Sequence, residues 1–374
     1  MRVLVTGGAG FIGSHLVEAI LARGDEVTVL DDFSTGRQEN LAAVASDRRL
    51  RVLRGDVREA AAVEEALEGC AAVHHLAAAV GVRLIVEQPV RSIETNIHGT
   101  ETVLRAASER GLPILVASSS EVYGKGVRCP FREDDDIVLG PTTVTRWSYA
   151  AGKAVDEFLA LAHHRERGTR VVVARFFNTV GPRQVGRYGM VVPRFVEQAL
   201  DGGPITVYGD GTQTRCFGFV GEVVQACLAL LATPAAAGRV FNIGSPHEIS
   251  VNDLAERVRS LVAPDCPVRR VPFEEVYGPG FEDLDRRVPS VERLRKTIGF
   301  APDLRIEEFL PRIVEELRRS RAAAGKAKRA GASGRGAAGG KTARRATPPR
   351  TSRGARRGPP RPRRAGRGSR PPAR

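Results

Sequence analysis

At 374 residues the chain can hold one large domain or two modest ones, and its formal charge of +14 suggests a nucleic-acid protein until the charges are located. Of its 57 lysines and arginines, 18 lie in Arg321–Arg374, which has no acid and no aromatic, so residues 1–320 carry 39 basic against 43 acidic residues and are mildly acidic. No apolar run reaches the roughly 18 residues of a membrane span, and the five scattered cysteines form no CxxC or zinc-like pair. A membrane protein, a disulfide scaffold and a zinc protein are all disfavoured.

Arg2–Val5 is mostly apolar without alternation, which predicts a strand buried on both faces. It runs into Thr6-Gly7-Gly8-Ala9-Gly10-Phe11-Ile12-Gly13 and then into apolar residues at helical spacing. Glycine at 7 and 10 allows a tight turn and leaves room for a pyrophosphate against a helix N-terminus, whose N–H groups and dipole attract an anion. Gly13 lets helix and strand approach closely. Gly7, Gly10, Phe11, Ile12 and Gly13 are therefore candidate cofactor-binding residues.

The second strand, residues 26–30, ends in Asp31-Asp32. A carboxylate at that strand end accepts hydrogen bonds from an adenosine ribose and repels a 2′-phosphate, which favours NAD over NADP. Arg37 is the reservation, since a nearby arginine can accommodate that phosphate. Asp56, in the turn Arg54–Val57, is either an adenine contact or an ordinary turn residue.

Strands are expected at 2–5, 26–30, 50–53, 72–76, 113–118 and 170–175, with helices near 14–23, 59–68, 92–110 and 149–166. Such alternation predicts a Rossmann-type α/β fold, a doubly wound parallel sheet with helices on both faces. His74 and His75 are neighbours on a strand, so they point to opposite faces, and no metal is expected there. The stretch Ser118–Gly124 follows an apolar strand and falls where parallel sheets bind ligands, unless its serines only cap the loop. Tyr149 and Lys153, spaced i and i+4, share a helix face. An ammonium beside a phenol favours the phenolate, so Tyr149 is expected to act as a base near neutral pH instead of near 10. The lysine can also hold a nicotinamide ribose.

Together, Gly7–Gly13, Asp31, the Ser119 region, Tyr149 and Lys153 resemble the extended short-chain dehydrogenase/reductase family of nucleotide-sugar epimerases, dehydratases and decarboxylases. The resemblance continues through Arg175–Arg183, Val207–Arg215 and Phe241–Gly244 and covers about residues 1–317. It implies an NAD-binding domain over residues 1–178, to which some later segments can return, and a smaller substrate domain over 179–317. It also implies a temporary oxidation: Tyr149 takes the proton of a sugar C4-hydroxyl, hydride passes to bound NAD, and Ser119 hydrogen-bonds the same oxygen. Ser120, Asn178 and Arg215 would then bind the diphosphate and sugar.

Within the family, Ser120-Glu121 stands where dehydratases carry an Asp-Glu pair, which speaks against a 4,6-dehydratase. Ser119–Gly124 and Tyr277–Pro289 are most similar to the UDP-glucuronate decarboxylases, which implies Glu121 as the acid beside C5 and Arg287 as the arginine at the carboxyl-bearing end. A 4-epimerase acting on UDP-glucose or UDP-glucuronate is the alternative, and a catalytically silent NAD-binding regulator is the reading from another class. Two departures stand out: Gly152 replaces the serine of YxxSK, and Glu222 replaces the aspartate of V-x-D-V. The resemblance also implies a homodimer through the helices near Thr95–Arg110 and Tyr149–Arg165. The tail 321–374, rich in Ala, Gly, Pro, Arg and Ser, has too little apolar surface to order itself. It is expected to be disordered, either a solvated extension or a contact to nucleic acid or another polyanion. With a strand opening at residue 2 and scattered thiols, the expected location is the cytoplasm.

Overall fold

Short runs of Val, Leu and Ile build the central sheet: β1 (Arg2–Thr6), β2 (Glu26–Asp31), β3 (Leu50–Arg54), β4 (Ala72–His75), β5 (Ile114–Ser119), β6 (Val171–Phe176) and β7 (Arg239–Ile243). The computed structural model describes residues 1–81, 87–126, 128–186, 190–277 and 285–335. Every strand pair in the sheet is parallel, in the order β7-β6-β5-β4-β1-β2-β3. The six strands read from the sequence are all present. The seventh, β7, comes from the second half of the chain and pairs with β6 from Arg239 opposite Val172 to Ile243 opposite Phe176.

Because strand side chains alternate, each strand feeds two cores. Val3 and Val5 face one layer with Leu16 and Ile20 of α1 (Phe11–Ala22). Leu4 faces the other, with Val63 of α2 (Ala60–Ala66), Val103 of α3 (Pro89–Glu109) and Ala160 of α4 (Trp147–Arg167). A third cluster belongs to the second half of the chain. There Phe195 of α5 (Val191–Leu200) meets Leu254 of α7 (Val251–Val262) and Phe309 of α8 (Ile306–Arg335). Between them in sequence, α6 (Val220–Ala232) packs Val223 and Leu230 into the α1 layer.

Glu222, the departure noted on α6, accepts backbone N–H bonds from Asp303 at 3.1 Å and Leu304 at 3.2 Å, fixing the chain just before α8. Gly152 is not required by space, since a β-carbon there would find Ile97 at 3.9 Å. The chain divides into Met1–Ala324 and Gly325–Arg374. Helix α8 continues to Arg335, inside the stretch expected to be a disordered tail, and Arg321 at its start pairs with Asp201 at 2.7 Å. The rest of that expected tail, 336–374, and residues 278–284 of the decarboxylase-like stretch lie outside the described residues. Among the described residues no helix is long and apolar enough to cross a membrane.

Candidate active site

Strand order reverses between β1 and β4, and the crevice at such a point, at the carboxyl ends of the strands, is where open α/β sheets bind ligands. A cleft of about 750 Å³ opens there. All the candidate residues line it: Gly7, Gly10, Phe11, Ile12, Gly13, Asp31, Asp56, Ser119, Ser120, Glu121, Tyr149, Lys153, Asn178, Arg215 and Arg287.

One end is made of backbone. Gly7 has φ +69°, and a β-carbon there would lie 2.8 Å from Ala77 N, while one on Gly13 would overlap the Gly7 carbonyl. Gly10 caps α1 without a side-chain partner, and the first turn of that helix has no acid, so its N-terminus is left for an anion. Asp31 closes this end, accepting N–H bonds from Ala9 at 2.9 Å and Phe33 at 2.8 Å. Burial raises its pKa, and those two N–H groups offset only part of the rise. Asp56 is on the cleft wall, but its carboxylate is held by the Arg58 guanidinium at 2.6 Å, which keeps its pKa low.

The other end is made of charged side chains. Ser119 caps a one-turn helix, its Oγ accepting from Glu121 N at 3.2 Å. Glu121 pairs with Arg287 at 2.5 Å and lies 3.8 Å from Arg146. Burial pushes the Glu121 carboxyl up, but Arg287 and then Arg146 pull harder and hold it below its ordinary value. Asn178, at φ +30°, donates to Cys216 O at 3.0 Å and so ties the β6 loop to the second half of the chain. Such a backbone angle in a non-glycine residue is strain held in place by its surroundings. Arg215 donates to Thr214 O at 2.7 Å.

Lys153 lies one turn below Tyr149 on α4, its Nζ donating to Ala117 O and to Asp156, each at 3.0 Å. The packed helix sets other groups against the Tyr149–Lys153 pair. Burial raises the phenol pKa most, Lys153 lowers it, and Glu121 and Asp156 raise it again, for a net rise. The lysine charge is partly spent on Asp156, a partner that the Tyr–Lys spacing does not announce.

The model of the NAD dependent epimerase/dehydratase family matches residues 3–244. The chain belongs to this family. It is 39% identical over 318 residues to a UDP-N-acetyl-alpha-D-glucosaminuronate decarboxylase of Bacillus cytotoxicus, covering 85% of this chain and 98% of that one. It is 37% identical to UDP-glucuronic acid decarboxylase 1 of Arabidopsis thaliana, covering 85% and 70% of the two chains. Among solved structures it is similar to a dTDP-glucose 4,6-dehydratase of Streptomyces venezuelae with NAD bound, at a TM-score of 0.77 and 32% identity, over 86% of this chain and 98% of that one.

The cleft fits the family's NAD on its own evidence: a glycine cradle that any β-carbon would crowd, an uncapped helix N-terminus, and Asp31 placed for a ribose. Two further cleft residues escaped sequence reasoning. Thr179 Oγ1 and Gln184 Oε1 are buried without a hydrogen-bond partner among the described residues, as polar groups awaiting a ligand are. Arg146 was also missed, although its place three residues before Tyr149 puts it near the same helix end. His75 ties two elements together, its Nδ1 at 2.8 Å from Thr6 Oγ1 and its Nε2 at 3.1 Å from Thr100 Oγ1.

Proposed function

We propose that the protein decarboxylates a UDP-linked hexuronate, converting UDP-glucuronate to UDP-xylose through a transient 4-keto sugar. One observation carries the reading: Glu121 and Arg287, 166 residues apart in sequence, meet in the same cleft as Tyr149, with Arg146 beside them. An ordinary glucose C6-hydroxyl gives a guanidinium pair little to bind, whereas a C5 carboxylate matches it. Relatives named as decarboxylases of two UDP-linked uronates support the same choice.

In this reading NAD supplies the hydride acceptor for C4. Tyr149 Oη, as the phenolate that the Lys153 ammonium favours, takes the C4-hydroxyl proton and becomes the neutral phenol, and Ser119 holds the C4 oxygen. Once C4 is a carbonyl, the C5 carboxylate is β to it. The C5–C6 bond then breaks, its electron pair moves into the C4 carbonyl to give an enolate, and carbon dioxide leaves. Arg287 orients the carboxylate, and Glu121 stands on the C5 side where the proton must return. Return of hydride to C4, and of the Tyr149 proton to the C4 oxygen, would complete the product. Gly7, Gly10, Phe11, Ile12, Gly13 and Asp31 hold the dinucleotide, Asp56 borders its adenine end, and Ser120, Asn178 and Arg215 hold the diphosphate and sugar. Residues 1–178 would thus carry the cofactor and the base, while 179–317 would bring Arg215 and Arg287 to the substrate.

Proton NMR of the protein with NAD and, in separate tubes, UDP-glucuronate, UDP-N-acetylglucosaminuronate and UDP-glucose tests this. The expected product is UDP-xylose from the first tube. UDP-galacturonate or UDP-galactose would move the protein to the 4-epimerases.

We also infer a homodimer through α3 and α4. Val90 and Ile93 on α3 and Val155 and Phe158 on α4 are exposed apolar side chains, Phe158 at 65%. A twofold contact would bury them against their copies. Sedimentation of Phe158→Glu should show a monomer where the parent protein shows a dimer. The scattered free thiols favour the cytoplasm.

A further inference from the structure

Lys153 is 2% exposed, and an ammonium so far from water needs a counter-charge. Its contact with Ala117 O is a neutral dipole and does not supply one. The other ionisable groups around it are committed elsewhere or uncharged. Glu157 is spent on Arg175, at 2.6 and 2.9 Å, and accepts from Ser118 at 2.5 Å. Glu121 faces Arg287 and Arg146. Burial pulls His75 down to about 3, so it is neutral. Tyr149, facing the lysine from one turn away, carries no charge until it loses its proton. Asp156 remains, fully buried and 3.0 Å from Nζ.

Asp156 is itself held in place. Its far end faces the Thr100 hydroxyl of α3, although Oδ1 makes no hydrogen bond of good geometry. Thr100 bonds His75 of β4, His75 bonds Thr6 of β1, and Thr6 accepts the N–H of Ala77 at 3.2 Å. This file of polar groups runs from β1 through β4 and α3 to the carboxylate on α4.

We propose that Asp156 is a positioning residue that keeps Lys153 an ammonium and fixes it beneath Tyr149. The proposal rests on the reading of Tyr149 as the base and names the residue that decides whether the lysine beside it is charged. Without Asp156, burial would drive the lysine to its neutral form, and the phenolate would lose the charge that favours it.

Lysine Cε NMR tests this without substrate, so a wrong choice of sugar leaves it intact. The chain has six lysines, and Lys153→Met assigns the signal. In the parent protein the Lys153 signal should stay that of an ammonium to at least about pH 9. In Asp156→Asn its midpoint should fall by about two units or more, and the acidic limb of kcat/KM should move to higher pH. Asp156→Ser carries the same test if the Asn variant does not fold. An unchanged Lys153 midpoint in a folded variant would overturn the proposal, as would a parent Lys153 that is already neutral at pH 7.

Discussion

The two ends of the cleft are built by different means. At the dinucleotide end, Gly7, Gly10 and Gly13 act through backbone shape and the Asp31 carboxylate braces the turn by accepting two backbone N–H groups, all within one strand–turn–helix–strand passage of the chain. At the sugar end, Ser119, Glu121, Tyr149, Lys153 and Arg287 act through side-chain charge and come from segments far apart. The first end depends on what cannot be added to it, and the second on what cannot be removed. Loss of binding and loss of chemistry should therefore separate between the two ends.

The largest effect expected is at the sugar end. Tyr149→Phe should lower turnover by on the order of 1,000-fold or more, with the NAD dissociation constant measured by calorimetry unchanged; parallel loss of NAD binding would break the division. Next is Gly13→Ala, whose β-carbon would overlap the Gly7 carbonyl. It should remove measurable NAD binding and cost on the order of 3 kcal/mol in urea unfolding. Arg287→Met should cost on the order of 100-fold in turnover and leave NAD binding intact.

The same substitution has a pH signature. Glu121 is held below its ordinary value of 4.5, so the folded state binds fewer protons there than the unfolded state does. The stability this contributes is full above that value and is lost as pH falls through the folded pKa. Without Arg287 the depression shrinks, and the Glu121 share of acid destabilisation between about pH 4.5 and the folded pKa should flatten. The smallest effect is at neither end: Gly152→Ala, with its β-carbon in ordinary contact with Ile97, should stabilise by about 0.5–1 kcal/mol. A thermal melt would show it as a rise of a few degrees.

The same division explains what the sequence could reveal. The glycine turn, the Asp31 strand end and the shared face of Tyr149 and Lys153 are local patterns, and they were legible. Strand β7 was not read as a strand. It is short, and its buried Asn242 looks wrong for a core until Tyr123 OH is found donating to it at 2.7 Å and Phe131 O accepting from it at 3.0 Å. The start of α8 carries Ile306, Phe309, Leu310, Ile313 and Val314 at helical spacing, yet composition alone put a tail from residue 321 where the helix continues. Tyr149 is the sharpest case: the lysine at i+4 is visible, but burial and the opposing charges of Glu121 and Asp156 exist only once the helix is packed.

The measurement that bears most directly on the proposed chemistry follows the carboxyl carbon. The protein would be incubated with NAD and UDP-glucuronate labelled with carbon-13 at C6, in the parent form and as Tyr149→Phe. Release of labelled carbon dioxide by the parent and not by the variant is the predicted result. Label retained at C6 in a UDP-galacturonate product would contradict decarboxylation and leave the same cleft to a 4-epimerase.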